Sequence, residues 1–410
     1  MSASKKSALS FIFITLLLDV TGICIIMPVL PQLIKQLING SISEASQWSG
    51  FLTFAYALTQ LLCAPIVGNL SDHYGRRPVL LMSLFGFGVD FVFLALAPTI
   101  WWLFLGRIIA GAFGASLTTA SAYISDVSTN ENRAKNFGMI GAAFGLGFII
   151  GPAIGGLLGN LGPRIPFVAA AVLAFSNVIF GYFVLPESLL KENRRLFEWK
   201  RANPLGSLRL LKKYKSIIGL VLSLVCLTIA SHAIYSTWSF INIERFGWNN
   251  TLIGASLTTA GLLIALVQGV LIRFINPKLG NAKSIYLGLA LYATGFLLFS
   301  LSSQSWMMFI FLIPYCCGGI AGPALQSMIA GAVKPNEQGE LQGTLTTLMS
   351  LTSIIGPLLM TNLFAYFSSP AAPFHFPNAP FIAGALLMAV SYVIVSKTIK
   401  SKASMKKNAE

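Results

Sequence analysis

The chain has 410 residues, 55% of them hydrophobic and only 10% charged, where a soluble globular domain carries about 25% charge. That balance excludes a water-soluble enzyme or binding domain and points to an integral membrane protein. The formal net charge of +15 would suit a nucleic-acid binder in a soluble chain, and five cysteines without a CxxC spacing argue against a disulfide framework or a zinc site.

A helical span needs roughly 20 apolar residues. Runs of that kind fall at 9–32, 47–68, 79–97, 101–124, 137–159, 165–185, 216–240, 251–275, 284–301, 305–331, 341–367 and 379–397, which makes twelve. A transmembrane barrel would show short alternating segments instead. The first run follows Lys5 and Lys6, is longer than a signal-peptide core, contains Asp19 and has no small-residue cleavage site behind it, so it reads as a retained span.

Between the second and third runs stands Gly68-Asn69-Leu70-Ser71-Asp72-His73-Tyr74-Gly75-Arg76-Arg77-Pro78. Gly68 permits close helix approach and Gly75 a sharp reversal. Asp72 can accept from Arg76, Arg77 or Arg133. It can also cap a helix in the second half, the segment starting near Gly339, whose N-terminus carries partial positive charge.

Ionisable residues deep in a bilayer are costly and mark function by default. Three stand out: Asp19 in span 1, Asp90 in span 3 and Arg107 in span 4. Asp90 and Arg107 lie about eight residues on either side of Pro98-Thr99, and so at similar depth, ~12 Å from the outer surface at 1.5 Å per residue. Arg107 is expected to pair with Asp90 on that depth argument, or with Asp19. Two acids and one arginine leave one acid unmatched, and a carboxyl group held out of water is suited to exchanging protons. The bland alternative is a static ion pair.

Span 5 carries Gly147, Gly151, Gly155 and Gly159 four apart, with Gly141, Gly145 and Gly156 around them and Pro152 permitting a bend. Four-residue spacing drifts only ~40° per step on a helix, so these glycines form one bare stripe that admits a neighbouring backbone.

Residues 186–215 are the longest polar segment and divide the spans six and six. Nine Lys/Arg with interspersed Leu196, Phe197, Trp199, Leu205, Leu208 and Leu211 fit either an amphipathic helix on the inner leaflet or a solvated linker. Domains are therefore expected at 1–185 and 216–410, joined by 186–215. The halves echo each other: Gly151-Pro152 has a counterpart in Gly356-Pro357, and Gly280 stands in a degenerate partner of the Gly75 turn. His232 is the buried ionisable side chain expected in the second half, read as a packing residue against the alternative of a proton site.

With the N-terminus inside, the inner segments hold nearly all of the 28 Lys and Arg. The outer loops hold Lys35, Arg164 and Arg245. Both termini are thus expected in the cytoplasm, with the positive charge serving topology and contact with anionic lipid rather than nucleic acid. Trp48, Trp101, Trp102, Trp238, Trp248 and Trp306 fall near expected outer ends, as interfacial rings do.

The 68–78 string resembles the loop between helices 2 and 3 of the major facilitator superfamily, and the run Gly145 to Gly156 resembles the marker of drug antiporters within it. Nearly the whole chain looks most like the tetracycline/proton antiporters of Gram-negative bacteria. The residues carrying that likeness include Leu18-Asp19, Ile25 to Pro31, Tyr56-Ala57-Leu58 with Gln60, Gly106-Arg107, Arg245 to Asn249, Gln268, Pro323 to Gln326, and Glu337-Gln338-Gly339 with Leu341-Gln342-Gly343.

The resemblance implies an all-α membrane protein, twelve transmembrane helices in two pseudo-symmetric six-helix bundles around a central cavity. It implies drug export in exchange for protons across a bacterial inner membrane, with the drug a magnesium chelate in the tetracycline case. It also brings Asp126 and Arg133 into the Asp72–Arg76 network. Two positions depart from the family: Tyr292 stands where those pumps carry an acid in span 9, and Ile264 where they commonly carry a histidine in span 8. Proton coupling is then expected to rest on Asp19, Asp90 and Arg107.

The expected polar substrate contacts are Tyr56, Gln60, Gln268 and Gln326. A resident cofactor, a metal site, a nucleotide-cradling loop and a catalytic constellation are not expected, and the protein is expected as a monomer. The alternatives are a proton-coupled or facilitative transporter of a nutrient or metabolite on the same fold, and a non-transporting membrane sensor.

Overall fold

The computed structural model describes residues 3–114, 116–129, 132–197, 213–214, 217–334 and 337–407. The side chains of 3–8, 133–135 and 401–407 lie outside that description, as does the amphipathic stretch expected in the linker from residue 198 to 212. The described residues are almost entirely helical and contain no strand.

In the first half the helices are α1 (Ala3–Ile25), α2 (Leu30–Ile38), α3 (Ile42–Tyr74), α4 (Arg76–Leu96), α5 (Ile100–Phe113), α6 (Ser116–Val127), α7 (Arg133–Leu158) and α8 (Ile165–Val184). In the second they are α9 (Ile218–Tyr235), α10 (Trp238–Phe246), α11 (Asn250–Leu266), α12 (Ile272–Leu301), α13 (Ser305–Cys317), α14 (Ala321–Ala330), α15 (Gln338–Ser368) and α16 (Ala379–Lys407).

Among the described residues ten stretches are long and apolar enough to cross a membrane, and the pair α1 and α2, bent by 46° around Pro28, makes an eleventh. One of the ten, Asn250–Leu301, is 52 residues long. It is interrupted at Gly280, whose φ of 73° and ψ of 163° leave the helix. The break divides it into two stretches in series, so among the described residues twelve apolar helical stretches answer the twelve runs in the sequence.

The polar string at 68–78 is mostly helix rather than loop. Helix α3 runs to Tyr74, α4 begins at Arg76, and the reversal is confined to Gly75 at φ 110° and ψ 164°. Only glycine tolerates that conformation without strain. Gly280 has nearly the same ψ and a positive φ, so the two halves turn their polar corners in the same way. A Cβ added at Gly68 would meet nothing within 4 Å among the described residues.

Two compact units emerge from the described contacts. One comprises Met1–Ser41, Phe51–Pro204 and Trp248–Gly261; the other comprises Ile42–Gly50, Leu205–Gly247 and Leu262–Glu410. Within the first unit the glycine stripe of α7 admits its neighbours as its spacing requires. A Cβ at Gly147 would stand 2.7 Å from Val20, one at Gly151 2.8 Å from the Thr21 carbonyl, and one at Gly155 would collide with the Ile25 carbonyl. On the adjoining face a Cβ at Gly156 would lie 3.0 Å from Cα of Gly254 in α11. Gly141 and Gly145 face open space, so the bare stripe works only over the later turns of α7.

In the second unit the start of α3 is fastened to α15. Ser43 Oγ donates to the Ala365 carbonyl at 2.7 Å and Ser46 Oγ to the Thr361 carbonyl at 3.3 Å. Gly356, the counterpart of Gly151, makes room for the His232 ring, and that ring lies edge-on to Tyr235 at 6.4 Å.

Candidate functional site: a buried acid pair and a polar hinge

Asp90 is wholly removed from the surface of the described chain. It sits in α4 two turns before the Pro98-Thr99 corner, and Arg107 sits two turns after it in α5. The corner brings them to one depth, and the guanidinium grips the carboxylate twice: Nε donates to Oδ1 at 3.2 Å, and a terminal nitrogen bonds Oδ2. Gly106 makes the grip possible, because a Cβ there would stand 2.7 Å from Asp90 Oδ1. The dipeptide Gly106-Arg107 thus supplies both the space and the cation.

Asp19 is not the partner of Arg107. It is half-buried in α1, and its Oδ2 accepts from Ser116 Oγ at 2.7 Å. Of the two pairings the sequence left open, the structure realises the one set by depth. Asp19 is left with a neutral hydroxyl as its partner. Ser116 was not anticipated; its only signal in the sequence is a hydroxyl following a glycine break in an apolar run.

Tyr56 and Gln60 occupy successive turns of α3. Gln60 Nε2 donates to Tyr56 Oη at 3.0 Å and to the Gly114 carbonyl at 2.8 Å, so the amide spans the break between α5 and α6. Beside them a cavity of about 80 Å³ is lined by Leu30, Leu52, Thr53, Tyr56, Leu94 and Arg107. That volume holds two or three waters at about 30 Å³ each and falls well below the roughly 300–1,000 Å³ of a drug-sized pocket. Arg107 is the one charged residue among the six that line it.

Gln268 and Tyr292 belong to the second unit. Gln268 falls in a π-helical turn, Val267–Leu271, between α11 and α12; such turns concentrate at functional positions. A Cβ at Gly319 would meet Tyr292 Oη at 3.8 Å and Gln268 Nε2 at 3.9 Å, so the amide and the phenol converge on one bare backbone position. Tyr292 packs edge-on against Tyr315 with ring centroids 5.0 Å apart. Gln326 is exposed on α14, and Ile264 lies in the last turn of α11.

The charged turn between α3 and α4 forms a closed network. Arg76 bonds Asp72 Oδ1 at 2.6 Å, Ser71 Oγ at 2.9 Å and Asp126 Oδ2 at 3.1 Å. Arg77 turns away to the Tyr182 carbonyl and lies over that ring at 5.5 Å. Arg133 opens α7, but its side chain is outside the described residues. Across the second unit, Glu337 at the start of α15 is held by Lys213 and Tyr214. These bonds, that of Lys213 first, hold its carboxyl below the usual 4.5, while its charge and acceptance raise the Lys213 and Tyr214 values.

The chain matches the model of the Major Facilitator Superfamily over residues 12–313 and again over 244–409. It is 40% identical over 361 residues to the tetracycline resistance protein, class C, of Escherichia coli, covering 88% of this chain and 90% of that one. It is 38% identical over 353 residues to the class G protein of Vibrio anguillarum, covering 85% and 88%. Among solved structures, the human organic anion transporter MFSD10 superposes with a TM-score of 0.69 at 25% identity, over 95% of this chain and 99% of that one.

Proposed function

The chain belongs to the major facilitator superfamily, and we infer from its site that it exports an amphipathic drug, tetracycline or a relative of it, in exchange for protons. The relatives named above are tetracycline resistance proteins, which favours a drug and, for tetracycline, its magnesium chelate as the cargo. The membrane is the bacterial cytoplasmic one, with both termini on the cytoplasmic side because nearly all Lys and Arg then lie inside. Residues 1–185 and 216–410 act as the two repeats, 186–215 as the linker between them, in a single-chain transporter whose basic inner segments meet anionic lipid.

One observation carries the coupling: of two acids in the oily interior, Asp90 is locked to Arg107 while Asp19, among the described residues, is held by the Ser116 hydroxyl. A carboxylate without a cation is costly in this setting unless it takes up a proton. Asp19 is therefore the group that loads a proton readily, and Asp90 the one whose release from Arg107 is tied to conformation. Tyr56 and Gln60 offer polar contacts to cargo from the first half, and Gln268, in its π turn, with Gln326 from the second. The Asp72, Arg76 and Asp126 network, with Gly75 as pivot and Arg77 and Arg133 beside it, serves as the cytoplasmic hinge. The stripe of Gly147, Gly151, Pro152, Gly155 and Gly156 is the surface on which helices move past one another.

The test is efflux of a panel of tetracyclines and unrelated drugs from expressing cells, with and without a protonophore. Export that stops when the proton gradient collapses supports the reading. Accumulation of a nutrient instead, unaffected drug levels, or export indifferent to Asp19→Asn and Asp90→Asn together would overturn it.

A further inference from the structure

Helix α4 is preceded by Gly75, which has no side chain to satisfy the first N–H groups of the helix. Those groups are bonded nonetheless. Glu187, just beyond α8, accepts from Arg76 N–H through Oε1 at 2.8 Å and from Arg77 N–H through Oε2 at 3.3 Å. The same carboxylate accepts from Ser188 N–H at 2.9 Å and Leu189 N–H at 3.1 Å. Arg194 balances its charge at 3.8 Å. Glu187 Oε2 stands close enough to collide with a Cβ on residue 75. A side chain 111 residues away in sequence thus fills both the space and the bonding role of an N-cap.

The segment that carries Glu187 is itself tied down on both sides. Tyr123 Oη, fully buried, donates to the Pro186 carbonyl at 2.9 Å. Ser188 Oγ donates to Asp126 Oδ2 at 3.0 Å. Arg195 N–H donates to the Asp72 carbonyl at 3.1 Å, and the Arg195 carbonyl lies 3.0 Å from His73 Nδ1. Asp72, Arg76 and Asp126, the three members of the hinge network, therefore each have a second bond to residues 187–195.

We propose that Glu187 is a positioning residue for transport, and that residues 186–195 form a strap holding the Gly75 turn, and with it the Arg76 side chain, in register. The inference rests on the transporter reading above. Four N–H donors converge on one side chain at a helix N-terminus, where negative charge is favoured. A glutamine keeps one accepting oxygen but must turn its NH2 toward the donors on its other side, and it loses the charge, so Glu187→Gln weakens the cap while leaving size unchanged. The cargo contacts lie elsewhere, so turnover falls while KM holds.

The experiment compares wild type, E187Q, E187D and E192Q in full-length protein. E192Q removes an exposed carboxylate of the same strap and serves as the control. Amide exchange is read on the peptide spanning Gly75 to Leu80, and tetracycline export in proteoliposomes under an imposed pH gradient. In E187Q the Arg76 and Arg77 amides exchange about tenfold faster, and export turnover drops about fivefold with KM unchanged; E187D lies between and E192Q matches wild type.

Wild-type exchange at Arg76 and Arg77 in E187Q overturns the strap, as does faster exchange with full turnover. If wild type exports nothing, the transporter reading falls, and the exchange data still judge the cap. Should E187Q not fold, E187D, one methylene short, must speed exchange at those two amides above E192Q, or the proposal is wrong.

Discussion

Replacing Arg107 with alanine should be among the most damaging single changes in the first unit. Asp90 has no exposed surface and Arg107 only 18% side-chain exposure. With Nε and Oδ1 at 3.2 Å, the attraction of two unit charges is ~5 kcal/mol at an effective dielectric constant of 20. Removing one partner of a buried pair strands the other charge and costs about 3–5 kcal/mol. For a chain of this size that corresponds to a fall in melting temperature of roughly 3–6 °C. The melting curve of the purified protein in detergent reads it directly.

The double variant R107A/D90N leaves no stranded charge, so it should recover most of the lost stability while exporting nothing. R107K keeps the charge but loses the double grip, and should fall between. If R107A melts with wild type and exports with the same pH dependence, the ion pair is ornamental and the argument from burial is wrong.

Gly106→Ala places a methyl group against Asp90 Oδ1, so it should mimic R107A in export while leaving both charges present; a melting curve and export equal to wild type would contradict that. Gly155→Ala drives a Cβ into the Ile25 carbonyl and should cost about 1–3 kcal/mol as overpacking, whereas Gly141→Ala, facing open space, should be neutral in the same thermal assay. Glu337 has its carboxyl held below 4.5 by Lys213 and Tyr214. A depressed carboxyl stabilises the fold above its unfolded value and loses that contribution as pH falls through the folded value. Melting temperature should therefore drop on acidification below about pH 4.5, and Glu337→Gln should flatten that limb while lowering the neutral-pH value.

The crossings were legible in the sequence because a span must be long, apolar and continuous, and few other structures satisfy that demand. The Asp90–Arg107 pair was legible too, since equal counting from the Pro98-Thr99 corner fixes depth without any knowledge of packing. Depth could not assign Asp19, whose partner Ser116 is an ordinary hydroxyl distinguished only by where α1 meets α6. The bend after Ile25 could be suspected from Pro28, but the π turn around Gln268 leaves no mark in composition. Least legible was the cap on α4. Local rules look for it in the four residues before Arg76 and find Gly75, while the carboxylate arrives from beyond α8. Reading the polar string as a loop failed for a related reason: Ser71 and Asp72 are poor interior helix formers, yet both turn their side chains onto Arg76 one turn on.

Drug movement in everted vesicles under an imposed pH gradient tests the coupling most directly. Wild type should accumulate tetracycline only while the vesicle interior is acidic. Asp19→Asn and Asp90→Asn, each correctly inserted, should abolish that dependence and the uphill movement with it. Uphill accumulation that persists at full rate after the gradient is collapsed, or with both side chains neutralised, would contradict the account.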